Sequence, residues 1–240
     1  MKRTEQLQSQ WFAEKADVYD RGNLRDADEH YAALRHISAF VQMLRIESIL
    51  DVGCGTGRGV KYFLEIHPDI RIRGLDPVQA MLGQAISAHG IAPELLCCGA
   101  GEEMPFPDGS FDAVCELGML HHVAKPNVVV KEMIRVARRA IFLSDSNRFG
   151  QGSLLSRFIK LVLCKAGLWG AARFIRTGGK GYTVGDGLQF SYSVFDSLSL
   201  LAGWADRIIL IPTRKRTGAS WFQPLMTSPH ILVCAFKEET

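Results

Sequence analysis

The 240-residue sequence predicts an α/β fold in which a mostly parallel sheet carries helices on both faces. Three observations predict it. Short apolar runs that fit buried strands alternate with segments of helical spacing. A glycine-rich turn follows the first apolar run, and an acidic residue closes the second. Open sheets of this kind bind ligands beyond the carboxyl ends of their strands, where the strand order reverses.

The strands are predicted from apolar runs that stop at turn residues. The first run ends in glycines and the second ends at Asp76, whereas the third is short and weak. Runs without polar alternation fit strands that are buried on both faces. The predicted strands are 48–52, 70–75, 95–98, 112–117, 140–145, 207–211 and 230–236.

The helices are predicted from apolar residues that recur every three to four positions. The first helical stretch is broken near Gly22 and Asn23, Pro77 fits the first turn of another helix, and Ser193 fits an N-cap. The predicted helical segments are 11–44, 59–66, 77–88, 127–136 and 194–202.

Composition restricts the class of protein. Hydrophobic residues make up 47% and charged residues 22%, which excludes a mainly disordered chain. The net charge of +3 gives no independent case for nucleic acid as a partner. No secretory signal is visible in residues 1–9, and the apolar runs are too short to cross a bilayer. The six cysteines form no Cys-x-x-Cys pair, so we interpret them as reduced core residues and expect a cytoplasmic protein without a metal.

The strongest chemical signal is the segment Asp51-Val-Gly-Cys-Gly-Thr-Gly-Arg-Gly59 between a predicted strand and a predicted helix. Gly53, Gly55 and Gly57 allow a sharp turn and a close approach of the backbone to a ligand. The helix start offers N–H groups and a positive dipole end to an anion. A dinucleotide fingerprint would need a third glycine where Arg58 stands. Asp76 lies where an acidic residue forms hydrogen bonds with the two hydroxyl groups of a ribose. The plainer alternative is an ordinary turn with Asp76 as a surface cap.

These residues resemble motif I of class I S-adenosylmethionine-dependent methyltransferases. The segments LDVGCGTGRG, GLDPVQAML, EEMPFPDGSFDAV and GMLHHV are similar to the small-molecule methyltransferases of ubiquinone and menaquinone biosynthesis, over about residues 49–143. The resemblance implies a Rossmann-like seven-stranded sheet whose last strand is antiparallel. It also implies that S-adenosyl-L-methionine is the cofactor. The cofactor-binding residues expected from it are Asp51, Gly53, Cys54, Gly55, Gly57, Asp76, Pro77, Ala100, Gly101, Leu117 and Tyr19.

One position departs from the family pattern. Ala100 stands where many members carry an aspartate that holds the adenine amino group. Adenine would then be held by backbone groups near Ala100 and Gly101, by packing on Met81 or Leu82, or by Glu102.

Two adjacent histidines, His121 and His122, follow the fourth strand and are the candidate catalytic residues, as a base or as an orienting group. Packing under the cofactor is the alternative. Glu116 fits packing better than catalysis. Asp145, Asn147 and Arg148 could line an acceptor pocket or simply form a turn.

The segment 153–175 combines apolar residues with Arg157, Lys160 and Lys165. It fits a lid over an apolar acceptor, a contact with a membrane surface that carries a lipid-like acceptor, or a helix packed on the sheet. The loop 213–217 with Trp221 and Phe222 mixes cations and aromatics, but loops of this kind are usually solvated.

The expected organisation is a single domain, with an N-terminal helical cover (1–46), a cofactor-binding core (47–149), an inserted lid (150–190) and a C-terminal helix with strands (191–240). The expected reaction is methyl transfer to oxygen, nitrogen or carbon of a small molecule. The alternatives are a nucleic-acid methyltransferase, which the absence of an Asn-Pro-Pro-Tyr motif disfavours, a non-catalytic methyltransferase-like module and a nicotinamide-dependent oxidoreductase. The sequence predicts no oligomeric state.

Overall fold

A computed structural model of the chain describes residues 3–20, 28–214 and 223–238. The predicted break near Gly22 and Asn23 lies outside these residues, as do Trp221, Phe222 and most of the loop 213–217. The helices are α1 (Arg3–Lys15), α2 (Glu29–Met43), α3 (Arg58–Ile66), α4 (Gln79–His89), α5 (Pro126–Val136), α6 (Leu154–Lys165), α7 (Trp169–Arg176) and α8 (Leu198–Ala202). The strands are β1 (Ser48–Val52), β2 (Arg71–Asp76), β3 (Leu96–Cys98), β4 (Phe111–Leu117), β5 (Ala137–Ser146), β6 (Tyr182–Gly185), β7 (Gly187–Phe190), β8 (Arg207–Pro212) and β9 (His230–Phe236).

The main sheet has seven strands in the order β3-β2-β1-β4-β5-β9-β8. β1 to β5 are parallel to one another, whereas β9 runs antiparallel to both β5 and β8. This topology confirms the predicted α/β sheet and its antiparallel last strand. The strand order reverses between β1 and β4, which is where a ligand is expected beyond the carboxyl ends of the strands.

Two apolar layers cover the sheet. One contains Phe63 on α3 and Phe142 on β5, and the other contains Met133 on α5 and Val233 on β9. All four side chains are fully buried. The central strands β1 and β9 are buried along their whole length, which explains why their apolar runs do not alternate.

Several boundaries differ from the prediction. Pro77 lies ahead of α4, which begins at Gln79 after the N-cap Val78. The expected helix 194–202 is divided into a 3₁₀ turn (Val194–Asp196) with a Ser193–Asp196 capping box, and α8. β5 begins earlier than predicted because α5 runs into it without a loop.

The segment between β5 and the 3₁₀ turn at Val194 contains α6, α7 and a hairpin that the sequence did not predict. β6 and β7 form this separate two-stranded antiparallel sheet within the glycine-rich stretch. β7 contacts both α1 and the turn that follows β4. The inserted segment therefore reaches the carboxyl end of the main sheet.

The cysteines divide into two groups. Cys54, Cys115 and Cys234 are buried, as expected for core residues. Cys97 and Cys164 are half-buried and Cys98 is exposed, so the interpretation of all the cysteines as core residues was wrong for these three. In the described part of the chain, no helix has the length and apolar character needed to cross a membrane.

Candidate active site

The turn from β1 to α3 needs glycine for two different reasons. Gly53, Gly55 and Gly57 all have left-handed backbones, with φ of 71°, 54° and 87°. A Cβ on Gly53 would lie 2.4 Å from Cγ of Met119, and one on Gly57 would lie 2.3 Å from Cδ1 of Ile91. Among the described residues, a Cβ on Gly55 would meet only Cε of Met81, at 3.4 Å. Gly53 and Gly57 are therefore packed against protein, whereas Gly55 faces the least crowded space.

Asp76 is joined to this turn by hydrogen bonds. The backbone N–H of Gly55 donates to Oδ2 of Asp76 at 2.9 Å, and that of Val78 donates to Oδ1 at 2.8 Å. Burial raises the pKa of Asp76 to about 6, although both hydrogen bonds oppose the shift. The N–H groups of Gly53 and Cys54 also donate to the carbonyl of Leu75. The glycine turn and the end of β2 thus form one rigid unit.

The side chain of Asp51 lies against the first turn of α3. Its carboxylate is buried, and a Cβ on Gly59 would come within 2.4 Å of Oδ2. Burial, followed by the charge of Asp76, raises the pKa of Asp51 to about 7. Leu117 is half-buried and packs next to the same first turn of α3. This arrangement suits Asp51 for holding the start of α3.

Two acidic residues tie the N-terminal region to the glycine turn. Arg58 forms a bidentate ion pair with Asp28, with N–O distances of 2.6 and 2.7 Å. The hydroxyl of Thr56 donates to Asp20 at 2.6 Å, and His89 bonds the other carboxylate oxygen of Asp20 at 2.6 Å. Arg58 therefore has a structural role as the ion-pair partner of Asp28. The sequence had indicated only that Arg58 stands where a dinucleotide fingerprint needs glycine.

Tyr19 and the C-terminal part of α1 lie beside Asp76. Phe12 and Tyr19 pack on Val78 and Met81. Burial raises the pKa of Tyr19 to about 12, with further contributions from the charges of Asp186 and Asp76. Tyr19 is thus near the predicted ribose-binding carboxylate.

The predicted adenine region follows β3. The N–H of Gly99 donates to the carbonyl of Asp76 at 3.1 Å, which places this loop at the end of β2. Ala100 is exposed, and a Cβ on Gly101 would lie 3.1 Å from a methyl of Val129. Pro77 is exposed beside the loop, and its carbonyl accepts from the thiol of Cys98. The assignment of these residues to adenine stays a prediction.

His121 is paired with a fully buried carboxylate. Its Nδ1 lies 2.8 Å from Oδ1 of Asp145, and its backbone N–H donates to Oδ2 of the same residue. Burial alone would lower the pKa of His121, but the charge and the hydrogen bond of Asp145 outweigh it, so that the pKa is raised. The pKa of Asp145 is correspondingly held well below its usual range, against the effect of its burial. Because Nδ1 of His121 is bonded to Asp145, Nε2 is the ring nitrogen that can accept a proton.

His122 has a different environment, although it adjoins His121. Its Nδ1 bonds the carbonyl of Leu188 on β7 at 3.0 Å, and its ring packs edge-on against Phe12 with centroids 5.3 Å apart. Burial, followed by the charge of His121, lowers the pKa of His122 to about 4. His122 therefore stays neutral and connects the turn after β4 with the inserted hairpin.

The other polar residues near β4 and β5 have mainly structural contacts. Asn147 accepts from the N–H of Phe149 and donates to two carbonyls, and Arg148 pairs with Asp196. Glu116 is fully buried, Oε1 has no hydrogen-bond partner, and its pKa is raised well above normal by burial and by Asp145. Oε2 of Glu116 accepts from the N–H of Met119 at 3.0 Å, so this carboxyl group contacts the turn after β4.

Sequence reasoning missed two residues that the fold brings to this site. His30 on α2 covers Gly118, where a Cβ would lie 2.5 Å from its ring. Asp186, in the turn of the inserted hairpin, offers a ligand atom within 4.8 Å of those of His121 and His122. Neither residue lies in a motif, and only the folded chain brings them here.

Comparison with known proteins finds similarity to methyltransferases. Residues 50–142 match the family model described as a methyltransferase domain. An ajmaline N-methyltransferase from Rauvolfia serpentina is 33% identical over 38% of this chain and 32% of its own length. A fatty-acid O-methyltransferase from Mycolicibacterium smegmatis is 30% identical over 48% of this chain and 43% of its own. The chain thus spans less than half the length of either relative.

Solved structures show the same fold. Magnesium protoporphyrin IX methyltransferase from Synechocystis, solved with bound S-adenosylhomocysteine, has a TM-score of 0.57 and 14% identity and covers 98% of both chains. The match to a methyltransferase domain favours a methyltransferase over the nicotinamide-dependent oxidoreductase considered as an alternative. Residues 50–142 are thus similar to a methyltransferase domain, and the fold is that of solved S-adenosylmethionine-dependent methyltransferases.

Proposed function

We propose that this protein transfers the methyl group of S-adenosylmethionine to an oxygen, nitrogen or carbon atom of a small molecule. The observation that carries the proposal is the bonded unit of glycine turn and Asp76, which lies beside the His121–Asp145 pair at the carboxyl ends of adjoining strands. The activities of the two relatives, on ajmaline and on fatty acids, support a small-molecule acceptor.

The residues present fit the cofactor. Space beside Gly55, where a Cβ would meet no described residue other than Met81, allows the backbone to approach the methionine part of the cofactor closely. Asp76 keeps acceptor capacity for the ribose hydroxyls, since each carboxylate oxygen can accept more than one hydrogen bond. Tyr19 packs over the same region from α1. The side of the turn that packs against protein is formed by Gly53, Cys54, Gly57 and Asp51.

The cofactor, when bound, supplies a methyl group on a positively charged sulfur, so the methyl is already activated for direct displacement. Gly55 and Asp76 would hold this donor while the acceptor atom bonded the methyl carbon, and the electron pair of the broken carbon–sulfur bond would remain on sulfur. The protein mainly has to align the acceptor and exclude water. For an acceptor that must lose a proton, Nε2 of His121 takes it while Asp145 holds Nδ1–H.

We infer that residues 150–190 form the lid over the acceptor. Leu188 on β7 is held from two sides, because its N–H donates to Gln8 of α1 at 2.6 Å and its carbonyl bonds His122. These contacts place the inserted hairpin directly beside the histidines.

The test is transfer of a labelled methyl group from S-adenosylmethionine to candidate acids, phenols and amines. We expect label in a small-molecule product, and at least a tenfold lower rate for Asp145→Asn with a proton-bearing acceptor. Label in RNA or DNA instead would favour the nucleic-acid alternative. Cofactor binding without transfer to any acceptor would favour a non-catalytic module.

A further inference from the structure

Helix α6 carries its apolar side chains on the outside of the molecule. Successive helical residues are about 100° apart, so the five apolar residues concerned share one stripe roughly 140° wide. They are defined here as the α6 apolar face: Leu154, Leu155, Phe158, Ile159 and Val162, with exposed fractions of 73%, 70%, 58%, 48% and 48%.

The opposite side of α6 is cationic and faces the protein. Arg157 is buried to 3% exposure, and its guanidinium donates to the carbonyls of Gly152 and Met226 at 2.8 Å. Nζ of Lys160 donates to the carbonyls of Arg148 and Gln151. A helix on a water-exposed surface normally has the reverse arrangement, with apolar residues turned inward. These contacts fix the helix in an inverted orientation, so the exposed apolar face is built into the fold.

The rest of the inserted segment extends the apolar surface and adds positive charge. On α7, Phe174 and Ile175 are 58% and 79% exposed. The exposed cations of the segment are Lys165, Arg176 and Lys180. Residues 146–185 contain no aspartate or glutamate. Apolar side chains among exposed cations, without any acidic residue, are the pattern of helices that lie in the interface of an anionic membrane.

We propose that the α6 apolar face docks on an anionic lipid bilayer, with its apolar side chains inserted below the headgroups and Lys165, Arg176 and Lys180 against the lipid phosphates. Charge argues against a second copy on this face. Two copies packed face to face would bring like charges together, and residues 146–185 contain no acidic residue to compensate them. The proposal rests on the inserted segment alone and does not depend on the proposed methyl transfer.

Flotation with lipid vesicles tests the proposal. The full chain is mixed with vesicles of 30% phosphatidylglycerol in phosphatidylcholine, or of phosphatidylcholine alone, and the floated fraction is measured. We expect the wild type to float with the anionic vesicles, more weakly in high salt, and with pure phosphatidylcholine at least tenfold less. Leu155→Ser/Phe158→Ser should reduce the partition coefficient at least tenfold. The matched control Met43→Ser/Ile66→Ser, at exposed positions on α2 and α3, should float like the wild type.

A second variant guards against misfolding of the first. Lys165→Glu/Arg176→Glu changes only exposed residues and should also abolish flotation with anionic vesicles. Titration with S-adenosylhomocysteine shows whether each variant keeps its cofactor site, which separates failure of docking from failure of the proposed function. The proposal is overturned if the wild type does not float, if Leu155→Ser/Phe158→Ser floats equally well, or if sedimentation velocity shows a dimer that this variant dissociates.

Discussion

Substitution of Gly57 by alanine tests whether the glycine turn is packed as the structure shows. The new Cβ would lie 2.3 Å from Cδ1 of Ile91 and 3.0 Å from Cβ of Ala85, and alanine would have to adopt a φ of 87°. The left-handed backbone costs about 1–2 kcal/mol. Overpacking of this kind adds about 1–3 kcal/mol. For a chain of this length, a total of about 2–5 kcal/mol lowers Tm by roughly 5–20 °C.

A second substitution separates the two contributions. Ile91→Val deletes the clashing Cδ1, so Gly57→Ala should cost less in that background, where the backbone strain and the 3.0 Å contact with Cβ of Ala85 remain. Gly55→Ala serves as the matched control, because within the described ranges its Cβ would meet Met81 alone, at 3.4 Å. It should lower Tm by only a few degrees but weaken binding of S-adenosylhomocysteine at least tenfold.

Thermal unfolding followed by circular dichroism and calorimetric titration measure both effects. The reasoning is refuted if Gly57→Ala and Gly55→Ala destabilise the protein equally, or if Ile91→Val brings no recovery. Unchanged cofactor affinity in Gly55→Ala would show that the ligand does not approach this side of the turn.

Three further predictions concern the histidine pair and the ion pair at α3. Because Asp145 raises the pKa of His121, kcat/KM for a proton-bearing acceptor should increase with pH through a pKa above the usual histidine value. Asp145→Asn should move this increase to lower pH and slow the reaction at least tenfold. An increase that does not move would exclude His121 as the base. Arg58→Ala should lower the free energy of unfolding by about 1–3 kcal/mol, because the partly buried Asp28 loses the two hydrogen bonds from this guanidinium. Arg58→Lys should recover only part of this loss in urea unfolding, and full recovery would contradict the bidentate geometry. A chelator should leave the methyl-transfer rate unchanged, and loss of activity that a divalent cation restores would refute the expectation of a metal-free reaction.

Elements with one dominant physical signal could be predicted from the sequence. β1 and β9 have the predicted bounds because buried central strands need continuous apolar runs. The glycine turn was recognisable since its backbone conformations exclude other residues at close approach. Asp76 was predicted to bind the ribose because it stands at the end of β2.

Other features depend on contacts between distant residues. The pair of His121 and Asp145 forms because β4 and β5 are neighbours in the sheet, which no local pattern encodes. The β6–β7 hairpin lies in a stretch whose glycines indicated only a loop. The predicted segment 153–175 is divided at Gly167, which has a left-handed φ of 71° and separates α6 from α7.

Calorimetric titration with S-adenosylmethionine and S-adenosylhomocysteine tests the central assignment most directly. The wild type should bind both molecules, Asp76→Ala should bind them at least tenfold more weakly, and the exposed-site control Asp69→Ala should match the wild type. Failure of the folded wild type to bind either molecule, or equal affinity in Asp76→Ala, would contradict the assignment of this turn and carboxylate to the methyl donor.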